Sequence, residues 1–157
     1  MPKTVPCLWF DDQAEQAAQL YVSLFPNSEV TGTTHYPEGS PGTPGAVMTV
    51  QFRLDGQEYT ALHGGPTFTV SEAVSFQIMC ADQAEIDHYW DGLVADGGRP
   101  SQCGWLKDRF GVSWQVVAPH WEQMLEGAPP EVSQRVWGAL MQMQKIDIAA
   151  LERAAAG

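Results

Sequence analysis

Ser75-Phe76-Gln77-Ile78-Met79-Cys80-Ala81-Asp82-Gln83-Ala84-Glu85 reads as a short apolar strand running into a capped helix. Seventy residues earlier, Val5-Pro6-Cys7-Leu8-Trp9-Phe10-Asp11-Asp12-Gln13-Ala14-Glu15 has the same design, and Asp-Gln-Ala-Glu closes both stretches. In each copy an N-cap aspartate, Asp12 or Asp82, stands three residues before a glutamate, a variant of the capping box. Four shared letters decide little by themselves, because this spacing is a common helix start. What decides is the order of elements around them.

After Glu15, residues Ala14, Ala17, Ala18, Tyr21 and Leu24 recur at helical spacing, and Pro26-Asn27-Ser28 stops the helix. Glu29 to His35 is rich in Val and Thr and suits a strand. Residues 36–45 hold three prolines and three glycines and read as a loop. Val47 to Leu54 alternates, Asp55-Gly56 is a two-residue hairpin signal, and Glu58 to Leu62 returns as the next strand. After Glu85 the same succession follows. A helix carrying Tyr89 and Trp90 ends at Gly97-Gly98-Arg99-Pro100. Strand candidates lie near Gly104–Lys107 and Ser113–Val117, joined by Asp108-Arg109-Phe110-Gly111, where a surface ion pair or an Asx-type turn explains Lys107-Asp108. A strand, a capped helix and then hairpin strands, twice over, predicts an α+β chain of two packed copies of one supersecondary unit. Residues 1–66 form module one and residues 67–119 module two of a single domain. Residues 120–157 form a helical tail: a short helix from His120 to Leu125, a break at Pro129-Pro130, an apolar stripe over Glu131–Met143, and a last helix over Lys145–Ala156.

A chain of 157 residues with 44% hydrophobic and 17% charged residues can bury a core. Its net charge is −11, with only eight Lys and Arg that never cluster. That balance argues against nucleic acid or an anionic membrane surface as partner. Cys7, Cys80 and Cys103 form neither a CxxC pair nor an even disulfide set, which fits a reducing, cytoplasmic setting. No apolar run reaches the length of a signal peptide or a membrane span.

Longer stretches resemble a bacterial family. They are Ser75 to Cys80, Asp87-His88-Tyr89-Trp90, Gly97-Gly98 and the run Cys103-Gly104-Trp105-Leu106-Lys107-Asp108-Arg109-Phe110-Gly111-Val112-Ser113-Trp114-Gln115-Val116-Val117. Leu62-His63-Gly64-Gly65-Pro66 and Lys145 to Leu151 match as well, with His63 standing where asparagine is more usual. The family is the PhnB-like, or 3-demethylubiquinone-9 3-methyltransferase-like, group. The resemblance implies the vicinal-oxygen-chelate (glyoxalase/bleomycin-resistance/dioxygenase) fold: two βαβββ modules forming a curved sheet around a cavity, in a homodimer. Methyl transfer is not expected. A nucleoside cofactor usually binds at a Gly-rich strand-to-helix turn, and both such turns here lack glycine.

Metal-dependent members of the superfamily place ligands on the first and last strands of each module. Strand alternation puts Val5, Cys7 and Trp9, and likewise Ser75, Gln77 and Met79, on the cavity face. Aligning Gly56 with Gly111 makes Thr60 and Gln115 equivalent. The four ligand positions then read Val5, Thr60, Ser75 and Gln115, a poor set for zinc or iron, and no metal site is predicted. A slip of one or two residues brings in Cys7, Gln77 or His63. His35, His88 and His120 lack the spacing of a metal-binding helix and read as surface or core residues. His63, ending a strand before Gly64-Gly65, is the acid–base candidate if there is catalysis. Each cysteine reads as a small buried hydrophobe.

These readings converge on a small-molecule-binding cavity protein without a preformed metal quartet and with no predicted cofactor. Cys7, Trp9, Thr60, Ser75, Gln77, Trp105 and Gln115 would line its pocket, the two glutamines serving as polar anchors. The alternative is a metal-dependent lyase, isomerase or dioxygenase, with a divalent ion stabilising an oxyanion. A third reading gives the function to the helical tail as an interaction module.

Overall fold

The computed structural model describes residues 3–118 and 120–157. Met1, Pro2, Pro119 and the His120 side chain lie outside the described residues. The chain divides into two compact units, residues 1–70 and 71–157.

The first unit runs β1 (Cys7–Phe10), α1 (Ala14–Leu24), β2 (Glu29–His35), β3 (Val47–Leu54) and β4 (Gln57–His63). Its sheet has the order β1-β4-β3-β2, with β1 parallel to β4 and the other pairs antiparallel. Asp55 and Gly56 both take positive φ, 43° and 88°, as a tight hairpin turn between twisted strands requires. Ala14, Ala17, Ala18 and Tyr21 of α1 are fully buried. The three alanines let the helix approach the sheet closely, while Tyr21 reaches the Phe52 ring, 6.0 Å away between centroids. Phe52 in turn stacks on Tyr59 at 5.2 Å. Burying a side chain such as Phe52, Leu8 or Phe10 stabilises the unit by about 1.5–3 kcal/mol each.

The second unit repeats this plan with β5 (Phe76–Met79), α2 (Gln83–Val94), β6 (Arg99–Pro100), β7 (Trp105–Lys107) and β8 (Ser113–Val117). The order β5-β8-β7-β6, with β5 parallel to β8, matches the first sheet strand for strand. Ile86, Tyr89, Trp90 and Leu93 of α2 are buried. The internal repeat read from Asp-Gln-Ala-Glu is therefore a repeat of topology.

Three local expectations are corrected. Asp12 does not cap α1; the N-cap residue is Gln13, without a side-chain cap. Extended pairing continues past β1, because Gly64 and Gly65 N–H groups donate to the Phe10 and Asp11 carbonyls at 2.8 and 3.1 Å. This carries the chain beyond Asp12 before it can coil. In the second copy the box forms: Asp82 Oδ1 accepts from Glu85 N–H at 2.9 Å and Glu85 Oε2 accepts from Ala81 N–H at 2.8 Å. Arg99-Pro100, read as a helix stop, also forms the two-residue strand β6. Lys107 pairs not with Asp108 but with Glu72, at 2.8 Å, while Asp108 is buried and builds the Asx-type turn.

The tail forms α3 (His120–Leu125), α4 (Pro130–Leu140) and α5 (Ile148–Ala156). Asp147 starts α5 by accepting from Ala150 N–H at 2.9 Å, so that helix begins three residues later than its apolar stripe suggests. The tail is tied to the second unit. The Gln83 amide donates to the Ile146 carbonyl and accepts from Ile148 N–H, each at 3.0 Å. Lys145 Nζ reaches Asp91 and Asp87 at 2.9 and 3.1 Å. The hydrogen bond from Gln83, followed by that from Lys145, holds the Asp87 carboxyl below its ordinary range. Among the described residues no helix is long and apolar enough to cross a membrane.

Candidate functional site

Each sheet buries one face against its helix and leaves the other open. In the first unit the helix side carries Leu8, Phe10, Val50, Phe52 and Ala61. Cys7, Trp9 and Thr60 alternate to the opposite side. Cys7 stands level with Thr60 across the parallel β1–β4 pair. In the second unit Trp114, Val116, Ile78 and Leu106 take the helix side. Gln77, Trp105 and Gln115 take the other, with Gln115 level with Gln77 on one neighbour and Trp105 on the other. The residues in register with Thr60 and Gln115 are thus Cys7 and Gln77, not Val5 and Ser75, which precede their strands. The correction is a shift of two residues along the first strand of each unit.

Gln77, Gln115 and Ser75 form a short polar chain. Gln77 Nε2 donates to Gln115 Oε1 at 3.4 Å, and Gln115 Nε2 donates to Ser75 Oγ at 2.8 Å. Its direction leaves the Gln77 carbonyl oxygen as the terminal acceptor.

In the first unit, Trp9 is committed to its own loop. Its Nε1–H donates to the Gly65 carbonyl at 2.8 Å, and Phe68 meets it edge-on with centroids 5.0 Å apart. The indole lies where a Cβ on Gly64 would stand, 2.2 Å from that position, so only glycine fits there. His63 has the strand parity of Ala61 and is level with buried Phe10, which sets it on the α1 side of the sheet. Its Nε2 is buried without a hydrogen-bond partner among the described residues, and its carbonyl accepts from the Tyr36 hydroxyl.

Burial raises the Cys7 thiol above its ordinary value. Cys80 is pushed up to about 12, by burial first and then by the carboxylates of Glu85 and Asp82. Its S–H points to the Ile78 carbonyl at 3.7 Å. A thiol so shifted carries almost no thiolate near neutrality. Alkylation of the native protein with iodoacetamide at pH 8, followed by peptide mapping, is expected to leave Cys80 unmodified until denaturant is added. Rapid native labelling of Cys80 would overturn that assignment.

On the open face of the second sheet the tail helices enclose a cavity of about 220 Å³. Gln77, Gln115 and Trp105 form its floor, and Trp121, Glu122 and Trp137 of α3 and α4 line it as well. These tail residues were not identifiable as site residues. Their apolar stripe shows that the tail must pack, but nothing in it says against which surface.

The chain was compared with known proteins. The family profile for 3-demethylubiquinone-9 3-methyltransferase matches residues 2–117. The chain belongs to this family. Of solved structures, the PhnB protein from Bacillus cereus is 33% identical, with a TM-score of 0.68 over 74% of this chain and 99% of that one. Protein PA1353 from Pseudomonas aeruginosa is 20% identical, with a TM-score of 0.59 over 75% and 98% of the two chains, and shows the shared fold. Among proteins of curated function none matches. The two equivalent sheets give this PhnB-like chain a doubled βαβββ plan.

The family label names a methyltransferase, but the strand-to-helix turns, residues 11–13 and 80–82, contain no glycine with which to cradle a nucleoside cofactor. Zinc or iron at the paired strand positions would need imidazole, thiolate or carboxylate donors. Here those positions hold a neutral thiol and a hydroxyl in one unit and two amides in the other, a set that does not fit zinc or iron. Among the described residues no three His, Cys, Asp or Glu side chains gather as a metal cluster.

Proposed function

We propose that this PhnB-like protein binds a small, partly apolar molecule in the cavity of its second unit. The observation that carries this reading is the cavity itself: a floor of two linked amides walled by indoles. Ligand sites combine apolar walls with a few convergent polar groups in this way. Trp105 and the tail tryptophans supply contact area, while Gln77 and Gln115 fix orientation by hydrogen bonding. Cys7, Trp9 and Thr60 remain the proposed pocket residues of the first unit, on the open face of its own sheet. In this reading the protein acts as a homodimer in a reducing compartment, and the acid–base role expected of His63 is not part of it, because that side chain lies on the α1 side of the first sheet.

Benzamide, an aromatic ring with an amide that complements glutamine, is a suitable probe. It is expected to quench tryptophan fluorescence saturably and to raise Tm. Gln115→Leu removes the central amide and is expected to weaken benzamide about tenfold, the loss that follows when a ligand's polar group is left unpaired at about 1.4 kcal/mol. Equal affinity in wild type and variant would show that the amides do not anchor the ligand. No saturable response to benzamide would remove the cavity reading and bring the enzyme alternative forward.

A further inference from the structure

We propose that the cavity of the second unit selects a small organic ammonium ion, and that the C-terminal tail supplies the selecting groups. The inference rests on the cavity-binding reading and names the chemical class of its ligand.

Three indoles, Trp105, Trp121 and Trp137, line this one space, with the Trp121 and Trp137 centroids 6.3 Å apart at an interplanar angle of 42°. An indole face is the best aromatic partner for a cation, and several aromatic faces around one small space form the usual receptor for an alkylated ammonium group. Glu122 brings the one charged side chain of the lining, and no Lys or Arg is among the lining residues. Of the basic residues of this unit, Lys107 pairs with Glu72, Arg109 with Asp96 and Lys145 with Asp87 and Asp91, Arg135 donates to the Ala154 and Ala155 carbonyls, and Arg99 and Arg153 do not line the cavity. The Glu122 carboxylate has no ion-pair partner among the described residues. The polar chain on the floor ends on the Gln77 carbonyl oxygen, an acceptor able to take an N–H from a ligand. A carboxylate, an exposed amide oxygen and three indoles all suit positive charge, and no cationic side chain lines the cavity to neutralise an anion. With a net charge of −11 the whole chain adds long-range attraction for cations.

The cavity, about 220 Å³, lies below the usual range of roughly 300–1,000 Å³ for drug-sized ligands, so the fitting ion is small. Trp121, Glu122 and Trp137 all lie beyond residue 117, where the family match ends. The selectivity therefore belongs to this chain's tail and not to the family frame.

Three probes of equal shape and different charge test the proposal on the full-length protein: benzylamine, benzyl alcohol and benzoate, each titrated by calorimetry at neutral pH and 0.15 M salt. Benzylamine is expected to bind at least tenfold more tightly than benzyl alcohol, with benzoate weakest. Glu122→Gln on α3 should abolish most of that preference by weakening benzylamine far more than benzyl alcohol. Trp137→Leu should weaken benzylamine more than benzyl alcohol. Benzyl alcohol binding as tightly as benzylamine would overturn cation selection and leave the cavity reading standing. No binding of any of the three, together with none of benzamide, would remove both. A benzylamine preference that survives Glu122→Gln and Trp137→Leu together would place the cation elsewhere on the acidic surface and overturn the assignment of the tail.

Discussion

Replacing Asp108 by alanine is expected to lower the free energy of unfolding by about 4 kcal/mol, one of the two largest single-residue effects expected in the chain. Asp108 is 3% exposed and organises the turn between β7 and β8. Its Oδ1 accepts from the backbone N–H groups of Phe110 and Val112 at 2.8 and 3.1 Å, and its Oδ2 accepts from Trp114 Nε1–H at 2.9 Å. Bonds to a charged acceptor contribute about 1.5–3 kcal/mol each. They are not additive, but alanine would leave three donors without their acceptor, two of the three bonds being fully buried. The loss should reach further than the turn. Trp114 is buried against Phe76 with centroids 5.4 Å apart, and β8 also carries Gln115 into the cavity floor. Urea denaturation followed by far-ultraviolet circular dichroism would measure the shift. Asp108→Asn keeps the Oδ1 contacts and turns an amide toward the indole N–H, so an intermediate loss is expected. A change below 1 kcal/mol in the alanine variant would mean that water replaces the carboxylate and that the turn is held by its backbone alone.

The contrast between this turn and the cavity shows which parts of the fold are legible in the letters. Strand alternation, hairpin residues and the doubled Asp-Gln-Ala-Glu are local signals. Together with the tail's apolar spacing they place β2, β3, β8 and α3 to the residue and every other helix and strand within a few residues, except β6. That strand is two residues long and leaves no periodicity to read. The cap at Asp12 failed for a non-local reason: Gly64 and Gly65, fifty residues away, extend the pairing of β1 and postpone the helix. Asp108 could be read as a turn residue, but not as a buried one, because its burial depends on where the Trp114 indole goes. On the site, alternation alone put Gln77, Trp105 and Gln115 on one face of one sheet. Which first-strand residue stands level with Thr60 or Gln115 is a matter of register between strands far apart in sequence, and that was off by two. The tail's share of the cavity was illegible. An amphipathic helix announces that it packs, while its docking surface is chosen by contacts such as Gln83 with Ile146 that span more than sixty residues.

Ile146 joins the tail's stability to the cavity, and Ile146→Ala is expected to cost about 2–5 kcal/mol. The side chain is 1% exposed and lies directly over Gly104, its Cδ1 only 3.0 Å from where a Cβ on that glycine would stand. Gly104 itself has φ of 83° and a Cβ there would also meet the Val116 carbonyl at 2.6 Å, so the glycine is required for the tail to seat. The backbone on either side is pinned, with Gly104 N–H donating to the Gln144 carbonyl at 2.8 Å and Gln83 bonding the Ile146 carbonyl. Those bonds keep the chain from collapsing into the space that alanine leaves, which favours the upper part of the range. Because Ile146 also lines the cavity, the variant should lose benzamide affinity even under conditions where it remains folded. Gly104→Ala attacks the same contact from the other side and should destabilise at least as much, with the pair of substitutions costing less than the sum of the two. Denaturation and benzamide titration of the three variants would measure both effects. Full stability in Ile146→Ala would show that the tail does not rest on Gly104. Full additivity of the two substitutions would show that the residues act independently, and the tail's hold on the cavity would then have to lie in Gln83 and Lys145.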